Sequence, residues 1–232
     1  MRPIRHAVAA VLSLLLVTSC ASNSGSTSNR AVAASTSAAS SSSPAGAGAT
    51  CSYPSDGSTP AKAVTPPAAS EPNSGTVDAT ISLTQGEVKI AMNRATTPCT
   101  IGSFVHLATT GYFDDTKCHR LTTSTSLQVL QCGDPTGTGS GTPGYSFADE
   151  TNSSMTYPAG TVAMANAGPD TNGSQFFLVY AKSQLPPDYT VFGKITSGLD
   201  VLTKIAAAGV TGGGTDGAPS SAVTITKITV HS

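Results

Sequence analysis

Eight short strand-like runs lie between residues 77 and 230, and the strict alternation of apolar with polar residues that opens them constrains the fold more than any other feature. Val77, Ala79, Ile81 and Leu83 make the first run, and Val88, Ile90 and Met92 the second. Thr84-Gln85-Gly86-Glu87 lies between them, which predicts a hairpin. Lys117–Thr122, Leu127–Cys132, Thr161–Met164, Ser174–Tyr180, Thr190–Ile195 and Ala222–Val230 predict the remaining strands. Two stretches have helical spacing instead. Thr97-Pro98 places an N-cap residue before proline at the first helical position. Ile101, Phe104, Val105 and Ala108 then share one face until Gly111 stops the helix, and His106 falls off that face as a solvated residue. Leu199, Leu202 and Ile205 carry the second helix, closed by Gly209. Antiparallel strands with two helices far apart in sequence predict a mostly β fold: a closed eight-stranded antiparallel barrel capped by two α-helices.

The chain ahead of residue 74 has another composition. Arg2, Arg5 and His6 form a basic head, and Ala7 to Val17 is apolar apart from Ser13. That run falls short of the ~20 residues a bilayer span takes. A basic head, a short apolar run and small residues after it predict a signal peptide over residues 1–19. The run ends Leu16-Val17-Thr18-Ser19-Cys20, which is similar to a bacterial lipobox. Cys20 is therefore expected to carry lipid, anchoring the protein outside the cytoplasm by ~0.8 kcal/mol per buried CH₂. The plainer alternative is an ordinary signal peptide with Cys20 incidental. Residues 21–70 hold only three charged residues, Arg30, Asp56 and Lys62, and one aromatic, Tyr53. Such a stretch buries too little apolar surface to offset its ordering entropy. Residues 20–73 are accordingly read as a disordered Ser/Ala/Pro-rich tether, with Cys51-Ser52-Tyr53-Pro54 as the one piece suited to docking, and residues 74–232 as the folded domain.

Several chemistries are disfavoured. Twelve basic residues balance thirteen acidic ones with no basic block, so nucleic-acid binding has no electrostatic support. The Gly-rich stretch 134–144 lacks the lysine and following helix of a phosphate-binding loop. No metal-ligand cluster and no nucleophile–base arrangement is visible, so no cofactor or metal is expected.

Three blocks carry a specific likeness. They are Gly111-Tyr112-Phe113-Asp114-Asp115-Thr116-Lys117-Cys118-His119-Arg120, then Val129-Leu130-Gln131-Cys132-Gly133-Asp134, then the string from Met164 through Gly168-Pro169 and Asn172-Gly173 to Gln175-Phe176-Phe177-Leu178-Val179, continued by Val191-Phe192-Gly193-Lys194. Together they span most of residues 77–205 and resemble the cyclophilins, the cyclosporin-type peptidyl-prolyl isomerases. The resemblance implies a cyclophilin-like barrel and an enzyme that speeds rotation about X-Pro bonds; with the signal-like head, exported polypeptides are the expected substrates. It implies catalytic roles for Arg120 and Gln131. It places Val129, Met164, Phe177 and Leu185 in an apolar slot for proline. It assigns Asn166 and Gln175 to the substrate backbone, with Ala165 as a backbone contact, and sets Thr138 and Thr171 near a neighbouring pocket. Its expected partners are proline-containing polypeptides and, through the lipid on Cys20, the membrane; a monomer is expected.

Departures from the pattern matter. Gln128 stands where the family has a pocket Phe, and the loop 122–126 is longer than in the eukaryotic pattern. No Trp exists, and Leu185-Pro186-Pro187-Asp188-Tyr189 replaces the usual Trp-containing segment, with Tyr189 where the family often has His. These changes weigh against cyclosporin binding more than against catalysis. Gln128 also keeps open a second reading, a module that grips proline segments with little turnover; a purely structural lipoprotein is a third.

Setting Cys20 aside, Cys51, Cys99, Cys118 and Cys132 allow three pairings, or free thiols. If Arg120 and Gln131 face one site, strand parity puts Cys118 on that face and Cys132 on the other, which disfavours a direct Cys118–Cys132 bridge.

Overall fold

The structure is a computed structural model and describes residues 48–231. A short ladder pairs β1 (Ala49–Thr50) with β2 (Ser70–Glu71). The main sheet begins with β3 (Thr76–Leu83) and β4 (Gly86–Asn93), paired from Thr76↔Asn93 to Leu83↔Gly86 as a tight hairpin. Helix α1 (Pro98–Thr109) follows, then β5 (Thr116–Lys117), β6 (Arg120–Ser124) and β7 (Leu127–Cys132). After a long loop come β8 (Thr161–Met164), β9 (Phe176–Val179), β10 (Val191–Ser197) and α2 (Leu199–Ala207). β11 (Asp216–Gly217) and β12 (Thr224–His231) complete the chain.

The sheet is an open, curled half-barrel of ten strands, not a closed barrel of eight. Its order is β11-β6-β7-β9-β8-β10-β4-β3-β12-β5, and the end strands β11 and β5 do not pair. The reason lies in the run Lys117–Thr122, expected to be one strand. It breaks at Cys118 and His119, so β5 pairs with β12 while β6 pairs with β7 and β11. The covalent chain, rather than a hydrogen-bonded ladder, crosses the seam.

One core fills the curl. Phe104 on α1 lies 5.1 to 5.6 Å from the rings of Phe113, Phe176 and Phe192. Ile81, Ile90, Met92, Leu121, Leu130 and Leu178 are buried around them. This is the inward half of the alternating pattern, and it explains why strands of that period curl over one helix. A smaller apolar cluster sits apart from it: Val129, Tyr157, Ala163, Phe177 and Val179.

Two cysteine pairs staple the fold, Cys51–Cys99 and Cys118–Cys132. The second overturns the parity argument. Parity holds only within an unbroken strand, and the break at residues 118–119 turns Cys118 into the main core beside Cys132.

Residues 48–73 also differ from expectation. Instead of a free tether they lie on the domain, tied through Cys51–Cys99. Tyr53 is buried against Tyr145 and Phe147 and donates to the Cys99 carbonyl at 2.7 Å. His106, expected to be solvated, bonds the Thr65 carbonyl at 2.7 Å. A cross-link shrinks the unfolded ensemble, so the segment needs less apolar burial than composition arguments assume. Thr97 does precede α1, but its side chain makes no cap bond. The Glu150 carboxylate accepts from the Cys99 and Thr100 N–H groups at 3.1 and 2.8 Å, an anion suited to a helix N-terminus.

Candidate active site

The pairing Arg120↔Gln131 between β6 and β7, and Gln131↔Phe177 between β7 and β9, brings three expected site residues into one row. Alternation along β7 then puts Leu127, Val129 and Gln131 on the same side. With Arg120, Ala165, Asn166, Phe177, Leu185 and Tyr189 they line a cavity of about 140 Å³. Phe177 is buried and meets the ring of Tyr189 edge-on at 5.7 Å. Tyr157 lies beneath; its hydroxyl donates to the Tyr189 carbonyl at 2.9 Å and accepts the Tyr189 N–H at 3.0 Å. The apolar floor is therefore braced by a buried phenol whose polar end is satisfied. Burial pushes the Tyr157 hydroxyl pKa up, so it stays a neutral donor.

Arg120 stands on the cavity wall with its fork fixed from two sides. Nε and Nη2 donate to the two carboxylate oxygens of Asp216 at 2.8 and 2.7 Å, and Nη1 donates to Gln131 Oε1 at 3.3 Å. A guanidinium has five N–H donors, so two have no protein partner among the described residues. The Asp216 bonds raise the pKa of Arg120 further above its ordinary value, and the same bonds hold the Asp216 carboxyl below its own. The cation is permanent across any physiological pH.

A polar line continues from Arg120. Gln131 Nε2 donates to Gln175 Oε1 at 2.9 Å, and Gln175 Nε2 donates to the carbonyls of Gly139 and Gly141 at 2.9 and 3.2 Å. Asn166 Nδ2 donates to the Asp188 carbonyl at 2.9 Å. Next to the first cavity, and sharing Gln131, Ala165 and Asn166 with it, lies a second of about 330 Å³. Gln175 and Thr171 line the second; Thr138 turns its backbone N–H to Asp134 instead, at 3.1 Å.

Two expected site residues lie elsewhere. Met164 is buried in the main core, paired across the ladder with Phe176, while its neighbour Ala163 backs the cavity. Gln128 falls on the alternate face of β7, and Leu127 lines the cavity in its place. Asp216 and Tyr157 were missed outright. The period of two in β7 was the available signal for Leu127. Asp216, 96 residues from Arg120 in a glycine-rich stretch, has none. Cys20 lies outside the described residues.

A curled antiparallel sheet with a fixed arginine on the wall of an apolar, aromatic-floored slot is the arrangement that the resemblance to the cyclophilins implies. A family profile described as cyclophilin type peptidyl-prolyl cis-trans isomerase/CLD matches residues 76–230. The chain belongs to that family. It is 49% identical to a protein described as probable peptidyl-prolyl cis-trans isomerase B of Mycobacterium leprae, over 78% of this chain and 66% of the relative. The counterpart of Mycobacterium tuberculosis is 48% identical, over 79% of this chain and 65% of the relative. The match thus spans just under two thirds of these relatives' length. A crystal structure of a Cryptosporidium parvum cyclophilin type peptidyl-prolyl cis-trans isomerase is similar with a TM-score of 0.60 and 30% identity, covering 68% of this chain and 99% of that one. A second structure of that protein, obtained in the presence of the dipeptide Ala-Pro, has a TM-score of 0.58 at 30% identity, covering 67% of this chain and 99% of that one.

Proposed function

We propose that this chain is a peptidyl-prolyl cis-trans isomerase acting on X-Pro bonds of exported polypeptides. The amide resists rotation by ~18–20 kcal/mol because its nitrogen lone pair is shared with the carbonyl. Turning the bond returns the lone pair to the prolyl nitrogen. A fixed cationic donor aimed at that nitrogen favours the twisted state over both planar ones, which lowers the barrier without a covalent intermediate. The single observation that carries the reading is Arg120, held by Asp216 and Gln131 with two N–H groups to spare, on the wall of a cavity floored by Phe177. Phe177, Val129, Leu127 and Leu185 suit a proline ring, and Asn166 and Gln131 suit the flanking amides. A cyclophilin solved in the presence of Ala-Pro supports the same substrate class.

A protease-coupled assay on a short X-Pro peptide tests this. Arg120→Ala is expected to lose at least tenfold in rate, about 1.4 kcal/mol of barrier. The binding-module reading rested on Gln128 as a poor replacement for a lining ring. That side chain lies outside the cavity, and Leu127 supplies apolar lining there.

The proposal extends to location. The basic head, the apolar run and Leu16-Val17-Thr18-Ser19-Cys20 support export with lipidation at Cys20. Pairing of the other four cysteines in two disulfides fits an oxidising compartment. Palmitate labelling present in the wild type and lost in Cys20→Ala is the expected result; an unlabelled wild type removes the anchor.

A further inference from the structure

We propose that residues 54–62 act as a strap that shapes the second cavity and thereby tunes recognition of residues flanking the proline. The proposal rests on the isomerase reading above and goes beyond it.

The loop that walls this cavity is rich in glycine, at Gly137, Gly139, Gly141 and Gly144. Such a loop has much conformational freedom to lose. Asp134 restrains its first half, accepting from the N–H groups of Thr136 and Gly139, both at 2.7 Å. The second half is restrained from outside by the strap. Ala61 N–H donates to the Thr142 carbonyl at 2.8 Å, Asp56 N–H to the Gly144 carbonyl at 3.2 Å, and Ser146 N–H to the Pro54 carbonyl at 3.0 Å. Contact is close enough at Gly144 to leave no room for a side chain. A Cβ at Gly144 would stand 2.7 Å from Pro60 Cγ; at Gly141 the Asp134 carboxylate is the nearest obstacle, with Ala61 Cβ of the strap at 3.1 Å. The strap is anchored at both ends, by Cys51–Cys99 before it and by Lys62, whose ammonium donates to the carbonyls of Gly111 and Asp114 at 2.7 and 3.1 Å.

The opposite side of the same loop meets the site. The carbonyls of Gly139 and Gly141 hold the Gln175 amide, which accepts from Gln131, which accepts from Arg120. Thr142, bonded to the strap, lines the second cavity beside Gln175. A peptide seated with proline over Phe177 would run past Gln131 and Asn166, which both cavities share, so its flanking residues enter the space walled by the loop that the strap holds.

The test uses the full-length chain. Two variants loosen the strap without touching the site: the pair Cys51→Ser with Cys99→Ser, and Pro60→Gly, which keeps both disulfides. KM and kcat are measured on a blocked Ala-Pro dipeptide and on peptides extended by two residues on either side. We expect extension to lower KM in the wild type. We expect each variant to raise KM for the extended peptide at least about threefold, with kcat and the dipeptide constants held within about twofold. If the cysteine variant loses its thermal transition, Pro60→Gly decides alone. Equal changes on both substrates, no change in KM, or a wild type indifferent to extension overturns the strap proposal. A wild type inactive on every peptide overturns the isomerase reading itself, and this proposal with it.

Discussion

Arg120 and Asp216 form a two-point ion pair, Nε to Oδ1 at 2.8 Å and Nη2 to Oδ2 at 2.7 Å, between residues 96 positions apart. Two effects of Asp216 oppose each other. Its charge weakens the field of the guanidinium, while its two oxygens fix the fork in place. The side chains are 40% and 52% exposed, so solvent screens the first effect, and such pairs contribute only ~0.2–1 kcal/mol. A misplaced catalytic group costs far more, up to ~100-fold for a shift of about 1 Å. Orientation therefore wins. Asp216→Ala is expected to lower kcat on an X-Pro peptide about three- to tenfold. Asp216→Asn, which keeps one acceptor, should lie between it and wild type. A faster Asp216→Ala enzyme would show that charge attenuation dominates.

Tyr157 braces the cavity floor through one hydroxyl that serves both the N–H and the carbonyl of Tyr189. Tyr157→Phe leaves the ring but strands two main-chain groups. Each unsatisfied buried group costs ~1–3 kcal/mol. The expected outcome is a fall of several degrees in Tm, at ~2–4 °C per kcal/mol for a domain of this size. Because Tyr189 lines the cavity, KM should rise more than kcat falls. Steady-state kinetics beside a thermal melt on the same preparation checks both.

What the sequence displayed depended on period. Hairpin β3–β4 was plain because Val77 to Leu83 alternates strictly and one face is buried. In β8 all four residues are buried, so alternation carried no information about which face Met164 took. In β7 the alternation was readable and put Leu127 with Val129 and Gln131, yet matching a family string favoured Gln128. Arg120, Gln131, Asn166 and Phe177 could be named only through the match to the cyclophilin string, and the fold brings them to the lining of one cavity. Asp216 could not be named at all, since a two-residue strand between glycines has no pattern to read. The order of residues 48–73 was hidden for a different reason: a disulfide to Cys99 replaces the apolar burial that composition measures.

The bridge Cys118–Cys132 closes a loop of 14 residues between β5 and β7. A loop near that length gives about 3 kcal/mol in the chain-entropy account. Both cysteines are buried in the main core, so Cys118→Ala with Cys132→Ala leaves an apolar fit. The paired variant is expected to melt about 6–12 °C lower than wild type. Arg120 is two residues from one end of the bridge and Gln131 adjoins the other, so activity should fall as well, even below the melting range. A melt unchanged by the double substitution, or by a dithiol reductant in the wild type, would show that packing alone holds the seam.

His119 sits at the break between β5 and β6, half-buried, and among the described residues neither ring nitrogen has a hydrogen-bond partner. Burial lowers its pKa from the ordinary 6.5, Asp134 acts against that shift, and Arg120 adds to it. The unfolded chain therefore takes up a proton at this position before the folded one does. Stability rises with pH wherever the unfolded state binds more protons. The contribution of His119 is thus complete above about pH 6.5 and declines as pH falls from there toward the lowered folded value. Glu71 works in the opposite sense at the acid end, since burial pushes its carboxyl pKa up. Comparison with His119→Gln isolates the histidine. The difference in Tm between wild type and variant is expected to shrink steadily from about pH 7.5 to pH 5. Parallel melting curves across that range would show that His119 titrates alike in the folded and unfolded states.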